Sequence, residues 1–291
     1  MVSLSMWVQS WIERRSIRLR PSTISGYKGS LRRYITPSPV GDLPLDAVAP
    51  EDLIVLLSPI VAKGYTRQAQ LVQILLGAAL RDAVKRRIIP WSPMDAVDKI
   101  QHKSKFTAWL TPDQSAQLLR SARDAGDPLY IAWLLGLCCG LRRGEILGLR
   151  RSDVDFEGGV LHVRRQLIRV DGKLLETVPK TMNSVRDIPL PTVVADQLRF
   201  VTRDRIVPAT ADRLQNGLEA ACRRADVPRI TLHGLRHSMA AVAASEGVAI
   251  KVLQEIMGHA QYSTTADVYA HVDRTAVRIA ARRVAARLEI A

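Results

Sequence analysis

The sequence predicts a mainly α-helical protein with one small antiparallel β-sheet, divided into two domains. Three observations lead to this prediction. Apolar residues recur at helical spacing through the first hundred residues, a polar and basic stretch follows, and a short run of alternating residues interrupts the helical pattern between Val160 and Arg169. With 291 residues, the chain is long enough for two domains that each bury a core.

Four or five short helices are expected in the first domain, and the start of four of them can be placed. An apolar stripe beginning at Trp7 marks the first helix, and Ser22 caps the second, which runs through Tyr34. Pro50 opens the third helix, because proline is favoured in a first turn, and Thr66 caps the fourth. The apolar stripe of the fourth helix is Leu71, Leu75, Leu76, Ala79, Leu80 and Val84.

Residues 100–107 are predicted to link this helical domain, residues 1–99, to a second domain at residues 108–291. Thr111 before Pro112 marks the first helix of the second domain.

The second domain contains the predicted sheet. The alternation from Val160 to Arg169 is followed by Asp171-Gly172, and this dipeptide favours the tight turn of a β-hairpin. A third strand is expected from Val185 to Leu190. From Asp196 onward the pattern is helical again.

The chain is strongly basic, with 42 lysine and arginine residues against 28 acidic ones and a net charge of +14. The excess is spread over both predicted domains: residues 1–99 hold 14 basic and 8 acidic residues (+6), which leaves 28 against 20 (+8) for the rest. A basic surface on two domains indicates a polyanionic partner, most often nucleic acid, with a merely basic protein as the alternative.

Cysteine use and hydropathy indicate a soluble protein of a reducing cytoplasm. Of three cysteines, Cys138 and Cys139 are adjacent, a pattern of neither a disulfide framework nor a zinc site. Glu13 and Arg14 follow Trp11 too closely for a signal peptide. The longest apolar run, residues 129–141, is too short to cross a bilayer.

Two basic side chains in the second domain are suited to phosphate chemistry. Gly140 and Gly144 flank Arg142 and let the backbone bring its guanidinium close to a ligand. Glu145, one turn later, can orient that guanidinium; an ordinary surface ion pair is the alternative. Lys180, in the turn after the hairpin, can neutralise a phosphate and deliver a proton, or can simply be solvated.

A helix start at Thr231 places His233 and Arg236 on one face near the helix N-terminus, where anions are favoured. One His and one Arg near a helix start can also be structural. His233 and His237 have the spacing of the zinc-hydrolase helix, but Gly234 stands where the general base is needed. The sequence contains no carboxylate-rich cluster of the kind that a two-metal nuclease needs.

The C-terminal segment places His259 ten residues before Tyr269. Gly258 predicts the end of the preceding helix, and Thr264-Thr265 predicts the start of a short helix that carries Tyr269. Tyr262 falls in the loop between them. A helical tyrosine is usually structural, so Tyr269 gains meaning only from the residues that precede it.

In this order the segments resemble the tyrosine recombinases, also called the phage integrase family, over almost the whole chain. The family more often has aspartate at the position of Gly234. The matching motifs are Gly140-Leu141-Arg142-Arg143-Gly144-Glu145, Pro179-Lys180-Thr181, Arg186-Asp187-Ile188-Pro189-Leu190, His233-Gly234-Leu235-Arg236-His237, Met257-Gly258-His259 and Tyr269-Ala270-His271. The resemblance implies a helical, SAM-like core-binding domain and a mixed α+β catalytic domain of the DNA breaking-rejoining type, without an N-terminal arm-binding domain.

The resemblance implies a site-specific DNA recombinase or integrase. Its nucleophilic tyrosine would form a 3′-phosphotyrosyl intermediate on the way to a Holliday junction, with no cofactor, metal or ATP. The implied catalytic set is Arg142, Lys180, His233, Arg236, His259 and the nucleophile Tyr269, with Glu145 supporting Arg142.

The implied partner is double-stranded DNA with paired recombination sites, bound by a homotetramer near the nucleoid. An accessory directionality factor is a further candidate partner, and no membrane partner is expected. The amphipathic C-terminal tail is expected to dock on a neighbouring protomer or on its own domain. Candidate DNA contacts are Arg14, Arg15, Arg18, Lys28, Arg32, Arg33, Lys85, Arg86 and Arg87.

Two alternatives stay open. One is a DNA-binding protein that uses the same fold without catalysis. The other is an enzyme like the type IB topoisomerases, which shares the chemistry but relaxes supercoils without a tetramer or paired sites.

Overall fold

The computed structural model describes residues 2–102, 108–178 and 185–258, which form two compact units. One unit comprises residues 2–102 with 169–173, and the other comprises the remaining described residues. Both are mainly helical, as predicted, and the described strands form two small antiparallel sheets where one was predicted. None of the described helices is both long enough and apolar enough to cross a membrane.

The first unit is built on its longest helix, α5, whose Leu75, Leu76, Ala79 and Leu80 are fully buried. The indole nitrogen of Trp7 donates to the carbonyl of Ala79 at 2.8 Å and so ties α1 to this helix. The helices are α1 (Leu4–Arg15), α2 (Pro21–Ser30), α3 (Pro39–Asp42), α4 (Pro50–Ala62) and α5 (Thr66–Lys85), with a π-helical turn at Leu31–Ile35 and a 3₁₀ turn at Pro93–Ala96.

Two predicted helix caps in this unit are wrong. Ser22 is not the cap of α2: Pro21 is its first residue and Arg20 stands at the cap position, because proline itself suits the first turn. The helix ends at Ser30, and the chain continues as the π-helical turn rather than as one helix through Tyr34. Thr66 is likewise the first residue of α5 and not its cap.

The apolar stripe predicted for α5 is buried from Leu75 to Leu80, and Val84 at its end is half-buried. Leu71 is 38% exposed and lies off the buried face. The side chain of Gln73, on α5, holds the chain that follows the helix. Its amide nitrogen donates to the carbonyl of Asp98 at 2.8 Å, and its oxygen accepts from the backbone nitrogen of Ile100 at 2.9 Å. The first unit therefore includes Ile100, and most of the predicted linker, residues 103–107, lies outside the described residues.

The second unit has its core around α7, which is apolar on all sides and packs against α6, α9 and α11. Threonine side chains cap three of its helices: Thr111 caps α6, Thr210 caps α10 and Thr231 caps α11. The helices are α6 (Pro112–Asp124), α7 (Tyr130–Cys138), α8 (Arg143–Gly148), α9 (Thr192–Arg199), α10 (Ala211–Arg224), α11 (Leu232–Ser245) and α12 (Ile250–Met257).

Three strands of this unit form an antiparallel sheet in the order β1-β2-β5. They are β1 (Val154–Asp155), β2 (Val160–Val163) and β5 (Arg186–Pro189). Leu161 on β2 lies opposite Ile188 on β5, and both side chains are buried in the core. The predicted third strand is confirmed as β5.

The predicted hairpin strand is broken in two, which corrects the prediction of one continuous strand. After β2 the chain leaves the first sheet, and β3 (Gln166–Val170) pairs with β4 (Lys173–Thr177) in a second sheet. At the break, Arg165 makes an ion pair at 3.1 Å with Asp153, a carboxylate that is 2% exposed. Asp171 and Gly172 both have positive φ, 48° and 81°, as the predicted tight turn requires.

Candidate active site

Arg142 and Glu145 form an ion pair at the start of α8, in which the carboxylate is buried and the guanidinium is half-buried. Arg142 is the extended residue just before the helix, and Glu145 is 1% exposed. The Glu145 carboxylate accepts from the backbone nitrogen of Arg142 at 2.9 Å and from its guanidinium at 2.7 Å. The alternative of an ordinary surface ion pair is therefore wrong.

The two glycines of α8 let this helix lie directly on the backbone of β3. A Cβ on Gly144 would stand 3.0 Å from the carbonyl oxygen of Leu167, and one on Gly148 would stand 3.1 Å from the Cα of Gln166. Both obstacles are backbone atoms, which cannot swing away. The glycines thus fix the depth at which α8, and with it Arg142, sits in the unit.

Helix α11 brings His233 and Arg236 to one face, as predicted. The hydroxyl of Thr231 accepts from the backbone nitrogen of Gly234 at 3.0 Å and caps the helix. Arg236 is fully buried, and its guanidinium donates to the carbonyl of Gly140 at 2.6 Å and to that of Met257. Its Nε is buried with no acceptor among the described residues.

The C-terminal end of α12 is held by three arginines from different parts of the unit. The helix closes at Gly258, which adopts the left-handed conformation predicted for it, with φ 62°. Three consecutive carbonyls then accept from three guanidinium groups: Ile256 from Arg186 at 2.6 Å, Met257 from Arg236, and Gly258 from Arg142 at 2.7 Å. Carbonyls at a helix end lack partners and carry negative charge, so cations stabilise them.

Arg186 also belongs to this cluster, although no role was predicted for it from the sequence. It was part of a matched motif but received no role. The side chain is 6% exposed, and its two terminal nitrogens donate to the two oxygens of Glu145 at 3.2 and 3.1 Å. The pair is separated by 41 residues along the chain, and no local pattern connects its members.

The charges of the cluster depend on one another. Burial raises the pKa of Glu145, but the guanidinium groups of Arg186 and then Arg142 outweigh burial, so that its pKa lies below the usual range and the carboxylate is ionised. Burial, followed by the charge of Arg142, lowers the pKa of Arg236, while Glu145 opposes that effect. One buried carboxylate thus offsets several buried cations.

His233 stands beside these cations with an edge-to-face contact to His237, 4.6 Å between ring centroids. Partial burial of the ring, and then the charges of His237, Arg236 and Arg142, lower the pKa of His233 to about 4. Burial and Arg236 also lower the pKa of His237. His233 is therefore a neutral imidazole near pH 7 and is able to accept a proton.

Gly234, the departure from the family motif, is enclosed by backbone. A Cβ there would stand 2.7 Å from the carbonyl oxygen of Ala108 and 3.0 Å from the Cβ of Ile230. The chain entering the second unit is held on the same helix, because the backbone nitrogen of Leu110 donates to Ser238 Oγ at 2.9 Å. No side chain larger than hydrogen fits here without moving that segment.

Three members of the predicted catalytic set, Lys180, His259 and Tyr269, lie outside the described residues. So do Tyr262 and the C-terminal tail. The structure therefore brings together Arg142, Glu145, His233 and Arg236. Within residues 2–102, 108–178 and 185–258, no three His, Cys, Asp or Glu side chains are grouped to hold a metal ion.

The candidate DNA contacts of the first unit differ in how far their side chains are already bound to other groups of the protein. Arg14 and Arg86 both donate to the carboxylate of Asp82, at 3.3 and 2.8 Å. Arg14 also stacks on Trp7, with its guanidinium carbon 4.6 Å from the ring centroid. Arg33 lies on Tyr34 at 5.9 Å. Arg14 and Arg86 are thus partly committed to internal contacts.

Comparison with known proteins agrees with this architecture. The tyrosine recombinase XerC-like protein of Caldanaerobacter subterraneus is 25% identical over 320 residues, which covers 93% of this chain and 80% of the relative. The integrase of transposon Tn1549, solved with a circular intermediate DNA, has a TM-score of 0.80 at 24% identity, with 97% of this chain and 100% of that chain covered. A lambda integrase tetramer bound to a Holliday junction has a TM-score of 0.68 at 18% identity, with 92% and 77% covered.

The sequence profile of the phage integrase family matches residues 108–276, more than half of the chain. The chain therefore belongs to the phage integrase family, the tyrosine-type site-specific recombinases. The resemblance drawn from the motifs is confirmed.

Proposed function

We propose that this recombinase breaks and rejoins DNA strands through a covalent bond between Tyr269 and a 3′-phosphate. The observation that carries the proposal is the meeting of Arg142 and Arg236 on the adjacent carbonyls of Gly258 and Met257. The two guanidinium groups are bound to neighbouring carbonyls, and a guanidinium can hold phosphate oxygens through paired donors. His259, a further member of the predicted catalytic set, directly follows Gly258 in the chain.

In the first step the Tyr269 oxygen attacks phosphorus, and the bond from phosphorus to the 5′-oxygen breaks. The tyrosine proton passes to the neutral imidazole of His233, and Lys180 supplies the proton that the leaving oxygen takes. The product is a 3′-phosphotyrosyl bond and a free 5′-hydroxyl. Because the bond energy is kept in that ester, the 5′-hydroxyl of a partner strand can reverse the step and release Tyr269.

Arg142, Arg236 and His259 hold the non-bridging oxygens, where negative charge grows in the transition state. Donors placed in advance for such charge are each worth about 10²–10³ in rate. The buried Nε of Arg236 supports this assignment. It has no acceptor among the described residues, and a phosphate oxygen would satisfy this otherwise costly buried donor. Glu145 orients the guanidinium of Arg142.

We assign double-stranded DNA with paired sites as the substrate and a homotetramer as the active assembly. Exchange of one strand pair would give a Holliday junction and exchange of the second pair would resolve it. The net charge of +14 supports a DNA partner, and the lambda integrase relative was solved as a tetramer on a Holliday junction. We also assign the enzyme to the nucleoid, with an accessory directionality factor as a further candidate partner.

The proposed division of labour follows the predicted domains. Residues 1–99 bind the core site, residues 100–107 connect, and residues 108–291 carry the chemistry. Among the candidate DNA contacts, those outside the Asp82 ion pairs supply the first charges that a duplex would meet. They are Arg15, Arg18, Lys28, Arg32, Arg33, Lys85 and Arg87.

Covalent trapping tests the proposal. Nicked duplexes that tile the DNA flanking the gene are incubated with the protein, because loss of the short fragment after the nick prevents religation and traps any adduct. We expect a protein–DNA adduct with the wild type, none with Tyr269→Phe, and duplex affinity unchanged in that variant. Tyr262→Phe is the matched control and should form the adduct. An undiminished adduct with Tyr269→Phe would overturn the assignment of the nucleophile.

The same assay separates the alternatives. A binding protein without catalysis would hold a duplex but never give an adduct. An enzyme like the type IB topoisomerases would give an adduct and relax a supercoiled plasmid that lacks paired sites. Recombination of a plasmid that carries two copies of the trapped site, with no relaxation of a plasmid without them, supports the recombinase.

A further inference from the structure

Arg186 lies where three parts of the candidate site meet, yet no role in the reaction is assigned to it. It is the first residue of β5, opposite Val163 of β2, and so its backbone is fixed in a paired strand. From this strand the side chain reaches Glu145 with both terminal nitrogens and the carbonyl of Ile256 with Nε. The fork geometry matches the two oxygens of a carboxylate, which an ammonium group cannot do.

We propose that Arg186 is a positioning residue for strand cleavage: it holds Glu145 in the orientation that aims Arg142, and it fixes the end of α12 ahead of His259. The inference rests on the proposed function. Arg186 is 6% exposed, whereas Arg142 is 29% exposed. Each of the three guanidinium nitrogens of Arg186 has an acceptor in the protein, whereas Nε of Arg236 has none among the described residues. Arg186 acts on the phosphate through its neighbours and not by contact.

The first part of this role is geometric. Glu145 binds Arg142 through its backbone and side chain, but a carboxylate on a short helix can still rotate about its side-chain bonds. The pair of bonds from Arg186, 3.2 and 3.1 Å, holds both oxygens of the carboxylate and so limits its rotation. A reacting group misplaced by about 1 Å can cost about 10²-fold in rate, so a small rotation of Glu145 is sufficient to slow cleavage.

The second part is electrostatic. The charged groups around Glu145 are Arg142 before α8, Arg186 on β5 and Arg236 on α11. Burial favours the protonated form of the carboxyl group, and Arg186 contributes the largest opposing effect on its pKa. Without that charge the pKa of Glu145 rises, and the protonated acid offers Arg142 a poorer acceptor.

The experiment compares Arg186→Met and Arg186→Lys with the wild type on the tiled duplex that gives the most wild-type adduct. Methionine removes both the fork and the charge, while lysine keeps the charge. Arg123→Lys is the control, because Arg123 is 60% exposed on α6 and pairs with its neighbour Asp124. Circular dichroism and thermal unfolding establish the folded fraction, and lysine serves as the test variant if the methionine variant does not fold.

We expect adduct formation to slow by about 10²-fold in Arg186→Met, with duplex affinity unchanged and Arg123→Lys as active as the wild type. The pH below which cleavage falls should move upward in Arg186→Met, whereas Arg186→Lys should be slow but keep the wild-type pH limb. The losses of Arg186→Met and Glu145→Gln should not add in the double variant, because both act through the same carboxylate.

A rate equal to the wild type in folded Arg186→Met would overturn the inference, and so would losses that add fully to those of Glu145→Gln. A parallel loss of duplex affinity would instead make Arg186 a DNA contact and equally overturn it. Failure of the proposed function has another signature, since the wild type itself would then give no adduct on any tiled duplex.

Discussion

Arg142 binds Glu145 twice, through its backbone nitrogen at 2.9 Å and through its guanidinium at 2.7 Å. One carboxylate therefore both caps the start of α8 and orients the side chain that precedes it. The site and the local fold depend on the same contact, and a change at Glu145 should be visible in stability as well as in cleavage.

Glu145→Gln should destabilise the protein by about 3 kcal/mol, because it leaves buried cations without their counter-charge. Urea denaturation measures this loss. The folded-state pKa of Glu145 lies below its unfolded value of 4.5, so its stabilisation is present above that pH and is lost as pH falls through the folded pKa. The free energy of unfolding of Glu145→Gln should not show this decrease in acid, because glutamine does not titrate. Glu157→Gln, in an exposed turn, is the control, and equal stability of the two variants would contradict the prediction.

Gly148→Ala should destabilise the second unit by about 1–3 kcal/mol, since the new methyl group meets the backbone of β3 at 3.1 Å. Gly26→Ala in α2 is the matched control. Its Cβ meets nothing within 4 Å, and alanine there should stabilise the helix by up to about 1 kcal/mol. Thermal unfolding of both variants checks the pair. Equal shifts would show that close packing of α8 on β3 is unimportant.

Gly234→Ala tests whether helix propensity or the contact with Ala108 decides stability. Alanine gains about 1 kcal/mol over glycine inside a helix, but a Cβ 2.7 Å from a backbone carbonyl should cost about 1–3 kcal/mol. We expect net destabilisation, larger still for Gly234→Asp, the residue more frequent in the family. A stabilised Gly234→Ala variant, measured by urea denaturation, would show that residue 108 moves aside freely.

His233 should titrate near pH 4 when its ring protons are followed by NMR, with His233→Asn identifying the resonance. Because the folded pKa lies below the usual 6.5, the unfolded state binds more protons between these values. The contribution of His233 to stability is thus complete above pH 6.5 and declines as pH falls toward 4. Replacing His237 by asparagine should raise the midpoint of the His233 titration. A midpoint near pH 6.5 in the wild type would show that His233 is neither buried nor close to the cations described above.

Local signals in the sequence predicted much of this fold. Thr111, Thr231 and Gly258 stand at the helix ends that they predicted, because caps depend on residues within one turn. The prediction of Ser22 as a helix cap was wrong because Pro21, its neighbour, already occupies the first helical position. The break between β2 and β3 was missed because alternation reports exposure to two faces and not which sheet a strand joins.

The candidate site was predictable only in part for a related reason. Arg142, His233 and Arg236 stand in recognisable motifs, and the structure brings their elements together. The burial of Glu145 and its bond to Arg186 depend on the tertiary arrangement that brings a side chain of β5 to a side chain of α8. Such a long-range contact leaves no period or motif in a single sequence.

The attachment of α12 has a consequence for the newly made protein. Of its own side chains, α12 buries Leu253 and Met257, whereas the carbonyls of Ile256, Met257 and the capping Gly258 depend on guanidinium groups from residues 142, 186 and 236. The end of α12 is therefore held in place only after three distant segments of the chain have folded together. A nascent or half-unfolded copy thus lacks the assembled arginine cluster of the candidate site, so the cluster exists only in the fully folded second unit.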